Sequence, residues 1–398
     1  MIPSLPDMLG LASAVLALAG IGQAVAGAMA VRRFCGESQS AGTVLPPVTL
    51  LKPLYGDEPL LEQALESVIG QDYPAFQIVF GVQDPKDAAI DVVHRLRLRH
   101  PEADITLVID STQHGLNRKI GNVINMLPRA MHDVLVIADS DLHCAPDYLR
   151  QVVAGFALPK TGLVTTLYAG LAANRSVTAR LGASAINHGF LPGALMSRGM
   201  GRQDCLGATM ALRRETLTAI GGLETLVDHL ADDNVLGQKV RARGLGVTLA
   251  CTVPATTVPE DSIGALFRHE LRWSRTILSL VPVAFAASAI QFPIAWALLC
   301  AALTQQPWAL GLVGLTWLAR AATAGMIDSA LGLVRVGRAT KAPIWLLPLR
   351  DLLSIAIILA SYASDKVEWR GQMMHTRPNS PPPPETDAPS ASQGTVLS

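Results

Sequence analysis

Apolar and polar positions change their spacing several times along the chain, and each change marks a different kind of element. From Met8 to Val31 no charged residue occurs, and Arg32-Arg33 follows at once. At about 1.5 Å per residue such a run crosses a hydrocarbon core of about 30 Å, so it predicts a transmembrane helix. Small-residue sites of the kind cut by signal peptidase occur within it, but no basic segment precedes it. The basic pair behind it places the N-terminus outside and the chain that follows in the cytoplasm. Residues 1–34 are thus expected to form an N-terminal membrane helix, and 35–47 (CGESQSAGTVLPP) a linker.

Between residues 48 and 275 the pattern alternates. VTLLKPL (48–54), QIVFGVQD (77–84), ITLVID (105–110) and VLVIADSD (134–141) are short apolar runs, and Pro59–Ile69 and Asp87–Arg99 between them have helical period. Near-continuous apolar strands separated by helices predict an α/β domain with a mostly parallel sheet covered on both faces. Ligands of such sheets bind beyond the carboxyl ends of the strands, where Asp84, Asp110, Asp139 and Asp141 stand.

Residues 276–366 return to an apolar pattern, with no formal charge from Thr276 to Ala319 and breaks at Pro282, Pro293 and TQQP (304–307). The pattern predicts a membrane-associated stretch near 276–282 and spans near 283–303 and 308–331. A third apolar segment covers 342–364. Arg320, Asp328 and the Arg350-Asp351 pair fall inside these segments, where a charge must be paired or face protein. Arg335, Arg338 and Lys341 suit a cytoplasmic loop. The tail, 367–398, becomes Pro/Ser-rich and is expected to be disordered from about residue 378.

Composition agrees with a membrane protein, half of the residues being hydrophobic and 16% charged. The net formal charge of zero leaves no basic field for nucleic acid. The five cysteines lie far apart, without CxxC or zinc spacing, which excludes a disulfide framework and fits a reducing compartment.

The end of VLVIADSD carries the first candidate chemistry. If the strand continues through it, Asp139 and Asp141 share one side and Ser140 points away. Two such carboxylates repel unless a cation lies between them, and Mg2+ or Mn2+ with a diphosphate would satisfy them. Two solvated turn acids would explain the same tripeptide. GLNRKIGNVIN (115–125) places Asn117, Lys119 and Asn122 around a helix start, which suits an anionic ligand. HLADDNVLGQKV (229–240) adds an acidic pair, and RHELRW (268–273) an Arg-Trp pair beside the apolar region, where an interfacial anchor would look alike.

In order, Asp84, Asp139/Asp141, Asp233 and His269-x-x-Arg272-Trp273 resemble the D, D, D, (Q/R)xxRW signature of processive and lipid-directed family 2-type glycosyltransferases. GVQDPKDAAIDVV, GLNRKIGN, CLGATMALRRETL, ADDNVLG and VEWRG are similar to the ceramide glucosyltransferase branch, family 21, over nearly all of residues 45–371. INMLP, VIADSDL, INHGFLPG, FGVQDP and HELRWSRTI resemble the glycosyltransferases of hopanoid biosynthesis.

The resemblance implies a GT-A fold, an inverting mechanism, a UDP-sugar donor and a lipid acceptor at the bilayer of a bacterial inner membrane. UDP-N-acetylglucosamine and a bacteriohopanepolyol are implied first, UDP-glucose and ceramide as the alternative. It assigns Asp84 to the uridine, with Pro53 and Leu54 flanking the base. Asp139 would contact the nucleotide, and Asp141 a Mg2+ or Mn2+ ion on the diphosphate. Asp233 would be the general base, Arg272 would stabilise the leaving UDP, and Trp273 would line a substrate pocket. Lys119, Asn122, His188 and Cys205 fall near the donor. His269 departs from the signature's Gln or Arg, being shorter and only conditionally charged. A transporter or a polymer synthase would need more spans, and a silent nucleotide-binding protein would be expected to lack Asp233.

Overall fold

The computed structural model describes residues 4–37, 45–333, 340–341, 343–364, 366–369 and 372–375. The middle of the linker, Arg335, Arg338, Arg370 and the Pro/Ser-rich tail lie outside the described residues. The first helix, α1 (Leu5–Gly36), opens on a capping box formed by Ser4 and Asp7.

The central domain then runs β1 (Val48–Pro53), α2 (Leu61–Ile69), β2 (Phe76–Val82), α3 (Ala89–Arg99), β3 (Ile105–Ile109), α4 (Arg118–Met126), β4 (Val134–Ala138) and β5 (Leu142–His143). It continues with α5 (Tyr148–Ala154), β6 (Thr161–Thr165), β7 (Ala169–Ala172), α6 (Val177–Ala185), a π-helical turn (Ile186–Phe190), α7 (Leu191–Gly199), β8 (Thr209–Arg213) and α8 (Arg214–Ala219). It closes with α9 (Asp232–Ala242), β9 (Gly246–Leu249) and β10 (Ala255–Val258). Helices α10 (Ile263–Leu280), α11 (Pro282–Ala287), α12 (Pro293–Thr304), α13 (Pro307–Leu333) and α14 (Leu347–Ser361) follow, then a hairpin of β11 (Lys366–Trp369) and β12 (Gln372–His375).

Seven strands form the main sheet in the order β3-β2-β1-β4-β8-β6-β9. The expected parallel set is there, β1 pairing with β2 and β4 and β2 with β3, while β8 runs antiparallel between β4 and β6. Side-chain alternation divides the core in two. Val48, Leu50, Phe80 and Val136 face α2 and α3, and Leu51, Val79, Leu135 and Ile137 face α4 and α9. Each such fully buried apolar side chain contributes roughly 1.5–3 kcal/mol.

A second sheet, β5-β10-β7, stands at the carboxyl end of the first. It changes one expectation. The run VLVIADSD does not continue as a strand through its acids, because β4 ends at Ala138 and Leu142-His143 pairs with β10 instead. The chain changes sheets between Asp139 and Asp141.

Three described helices, Leu5–Gly36, Pro307–Gly332 and Ile344–Ser361, are long and apolar enough to cross a membrane. The span expected near 283–303 is broken: Pro282–Gln291 and Pro293–Thr304 meet at 71°. Pro293, which lacks an N–H and clashes with a preceding turn, starts α12 rather than continuing α11. Residues expected to form a separate stretch near 276–282 instead extend α10 to Leu280.

Helix α1 packs closely on α12. A Cβ at Gly10 would overlap Thr304 of α12, and one at Gly20 would overlap the Ile290 carbonyl just before it, so glycine permits the close approach at both points. Farther along α1, Ala28, Val31 and Phe34 share one buried cluster with Leu167, Leu191, Val253 and Ile327.

The charges among the C-terminal helices are paired. Arg320 bonds Asp351 at 3.0 Å, and Arg350 holds both carboxylate oxygens of Glu270 at 2.7 Å. Asp351 also accepts the Ile294 N–H at 3.3 Å.

Candidate active site

Asp139 leaves β4 with its N–H on the Ala208 carbonyl at 3.1 Å. Its carboxylate lies 2.6 Å from Lys119 Nζ, which also donates to the Gly207 carbonyl at 3.1 Å. Lys119 stands in the first turn of α4, whose start is fixed by Asn117 Oδ1 accepting the Ile120 N–H. Burial works against the Lys119 charge, but Asp139, Asp232 and Asp233 outweigh it and raise its pKa above the ordinary lysine value.

Asp141 takes different company. Its Oδ2 accepts from Thr256 Oγ1 at 2.5 Å, and its carbonyl accepts the Thr257 N–H at 3.3 Å, both from β10. Burial first, then Asp139, pushes the Asp141 carboxyl up to about 7. The two acids therefore do not stand as strand neighbours around one point. One is held by a helix under the main sheet and the other by the small sheet.

Asp233 projects from the first turn of α9. Its Oδ1 accepts the Asn234 N–H at 2.7 Å, and its Oδ2 stands 3.1 Å from the place a Cβ on Gly207 would occupy. Gly207 thus leaves Asp233 the space that a side chain would take and offers Lys119 its carbonyl. Burial, followed by repulsion from Asp232, pushes Asp233 up to about 7. Asp232 itself is buried, one oxygen accepting from Asn117 Nδ2 at 3.1 Å and the other without a partner among the described residues.

At the ends of β1 and β2, the Leu54 N–H donates to the Gly81 carbonyl at 2.8 Å, with Pro53 just before it. Exposed Asp84 accepts the Lys86 N–H at 2.8 Å. Asn122 is buried beneath β2, its amide donating to the Gly81 carbonyl at 2.8 Å, so it braces the strand end. Helix α10 carries His269, which bonds Glu260, and His269 meets the ring of Trp273 edge-on at 4.4 Å. Trp273 packs on Ala183, Ile186 and Val258.

Two candidates lie elsewhere. His188 sits in the π-helical turn with both ring nitrogens occupied, by Ser184 at 3.1 Å and by Asp328 of α13 at 2.8 Å. Cys205 is a core residue behind α9, facing Gly237, and burial raises its thiol pKa well above the usual value.

Sequence reasoning missed Lys52 and Tyr168. Lys52 is fully buried near the end of β1, on the face opposite α4, and its Nζ has no hydrogen-bond partner among the described residues. Burial lowers its pKa, opposed by Cys144, Asp141, Asp139 and Glu58. Tyr168, between β6 and β7, stacks on Phe190. Both stand inside apolar runs that carry no local mark of function.

Among the described residues, no three His, Cys, Asp or Glu side chains gather where they could hold a metal ion. Asp141, a single partly buried carboxylate, fits a hard cation that keeps its remaining positions for water and substrate oxygens. The arrangement as a whole offers a proton acceptor near neutral pH, a fixed cation and acids at a sheet's carboxyl end. Such a set can hold a phosphorylated ligand and deprotonate a hydroxyl beside it.

The description of glycosyl transferase family 21 matches residues 12–381. Ceramide glucosyltransferase 3 of Caenorhabditis elegans is 22% identical over 338 residues, covering 83% of this chain and 73% of that protein. Ceramide glucosyltransferase 1 of the same organism is 23% identical over 245 residues, covering 60% of this chain and 51% of its own length. Among solved structures, the mannosyltransferase PcManGT from Pyrobaculum calidifontis, in complex with GDP-Man and Mn2+, is similar with a TM-score of 0.51 and 22% identity. That likeness covers 90% of this chain and 99% of the other, and the fold is GT-A-like.

Proposed function

This chain belongs to glycosyl transferase family 21 and is a glycosyltransferase; we propose that it moves a sugar from a UDP-sugar to a lipid hydroxyl with inversion. Asp233 carries this reading: a partly buried carboxyl raised to about 7, close to the pH at which a general base is most effective. Asp233 takes the proton of the acceptor hydroxyl as that oxygen bonds the anomeric carbon. The bond from that carbon to the diphosphate breaks, and its electron pair leaves with UDP.

Asp84, Pro53 and Leu54 bind the uridine end, Asp139 the nucleotide, and Asp141 a divalent cation, Mg2+ or Mn2+. When bound, that cation offsets the charge of the departing diphosphate. Lys119 holds Asp139 in place, and Arg272 of α10 faces the leaving group. Asn122 acts on the donor site through the β2 end that it braces. His188 and Cys205 remain tied to it only by the motif resemblance.

A lipid acceptor is supported by α10, which carries HELRW and leads directly into α11 and α12. Thr340, behind α13, returns to the central domain, donating its N–H to Gly170 and accepting the Ala172 N–H on its hydroxyl. That contact supports one side of the bilayer for both, the cytoplasmic side of a bacterial inner membrane, with the N-terminus outside. The motifs INMLP, INHGFLPG and HELRWSRTI favour UDP-N-acetylglucosamine and a bacteriohopanepolyol. The names of the two nematode relatives favour glucose and ceramide. Membranes carrying the protein, given either radiolabelled donor with ceramide or a hopanoid polyol, are expected to label the hopanoid from UDP-N-acetylglucosamine. Labelling of ceramide alone would overturn that substrate, and full activity in EDTA would remove the cation.

A further inference from the structure

We propose that Tyr168 is a specificity-determining residue of the donor site, its phenol hydroxyl reading a polar group on the sugar being transferred. The inference rests on the UDP-sugar reading above and deepens it.

The backbone places Tyr168 beside the chemistry. Ala169, the next residue, donates its N–H to the Pro254 carbonyl at 2.9 Å, and β7 then pairs with β10. The other edge of β10 takes β5, which starts immediately after Asp141. The ring is fixed: it stacks on Phe190 with centroids 4.7 Å apart and planes at 26°. Tyr168, Phe190 and Trp273 all pack on one small cluster of Ala183, Ile186 and Val258.

The polar end is what sets this residue apart. The hydroxyl of buried Tyr148 meets Thr209 at 2.9 Å, and that of Tyr73 donates to the Pro46 carbonyl at 2.6 Å. Tyr168 makes no such bond among the described residues. The Tyr168 ring is only partly buried and its hydroxyl is not among the oxygens closed off from solvent, so a ligand entering here can reach it. The hydroxyl stands in the field of Asp233, Asp139, Asp141 and Arg272. Those are the proposed base, the two donor acids and the leaving-group cation, so the transferred sugar must pass among them. Burial and the three carboxylates raise the phenol above the ordinary tyrosine value, which keeps it a hydrogen-bond donor.

Tyr168→Phe removes only the unbonded oxygen and leaves the stack. Dissociation constants for UDP, UDP-glucose and UDP-N-acetylglucosamine would be measured on the full chain in detergent with a divalent cation. Affinity for UDP is expected to stay within about 2-fold, while the preferred UDP-sugar weakens about 10-fold. An equal loss for UDP, an unchanged ratio of UDP-sugar to UDP, or a change confined to the acceptor KM would overturn the proposal. If the wild-type chain binds neither UDP nor a UDP-sugar, the donor reading falls and this proposal falls with it.

Discussion

Two lysines, Lys52 fully buried and Lys119 largely so, stand at the same end of the main sheet on opposite faces, and they meet opposite fates. Lys119 stands with the α4 face, its ammonium 2.6 Å from Asp139 and 3.1 Å from the Gly207 carbonyl. Lys52 points to the other face, where its ammonium has no hydrogen-bond partner among the described residues. Both lie in the field of Asp139, yet one pKa is raised and the other lowered. Burial alone does not decide the charge of a lysine. At Lys119 the nearby charges of Asp139 and Asp232, and after them the bond to Asp139, outweigh what desolvation removes.

The largest test falls on the Lys119 side. Asp233 is one of the charges that raise the Lys119 pKa. Asp233→Asn is expected to lower sugar transfer about 100- to 10,000-fold in a radiolabel assay, with UDP-sugar binding retained. Near-normal turnover would remove Asp233 as the base and dissolve the chemical contrast between the two faces.

Acidity gives the next effect. With Asp233 titrating at about 7, kcat/KM should fall about tenfold per pH unit below that value. Stability should move the other way. Burial raises Asp141 and Asp233 from 3.8 to about 7, so between those values the fold binds protons that the unfolded chain has released. Their contribution is fully present below about pH 4 and is lost as pH rises through about 7. Urea unfolding of the wild type and of Asp141→Asn between pH 5 and 8 would check this. The variant should show a shallower decline, and an identical decline would contradict the assignment.

The smallest effects compare the lysines directly. Lys119→Met strips Asp139 of its cation and should cost about 1–3 kcal/mol, towards the lower end because the Asp139 side chain is 37% exposed. Lys52→Met removes a buried charge that has no bond to lose and should leave Tm unchanged or higher. Equal losses in thermal unfolding would show that the two sites are held alike.

Much of this fold was legible from the apolar pattern. VTLLKPL, QIVFGVQD, ITLVID and VLVIADSD became β1 to β4 because strands covered on both faces leave uninterrupted apolar runs. The ends of those strands were not legible. Asp139 and Asp141 part company because β10, more than a hundred residues later, captures the chain after the tip. Tyr168 stayed hidden in VTTLYAG, and Lys52 in VTLLKPL, since each looks locally like one more strand residue. Pro293 was visible, but the apolar residues on both sides of it concealed a bend of 71°.

The cluster at the end of α1 also bears on where this enzyme can be cut. Val31 and Phe34 are packed with Leu167, next to Tyr168 in sequence, and with Val253, just before β10. Sequence would divide the chain into an anchor, a tether and a catalyst. Energetically the anchor is a wall of the catalyst. A soluble fragment begun at residue 45 would open that wall to water and leave an apolar surface beside the proposed donor site.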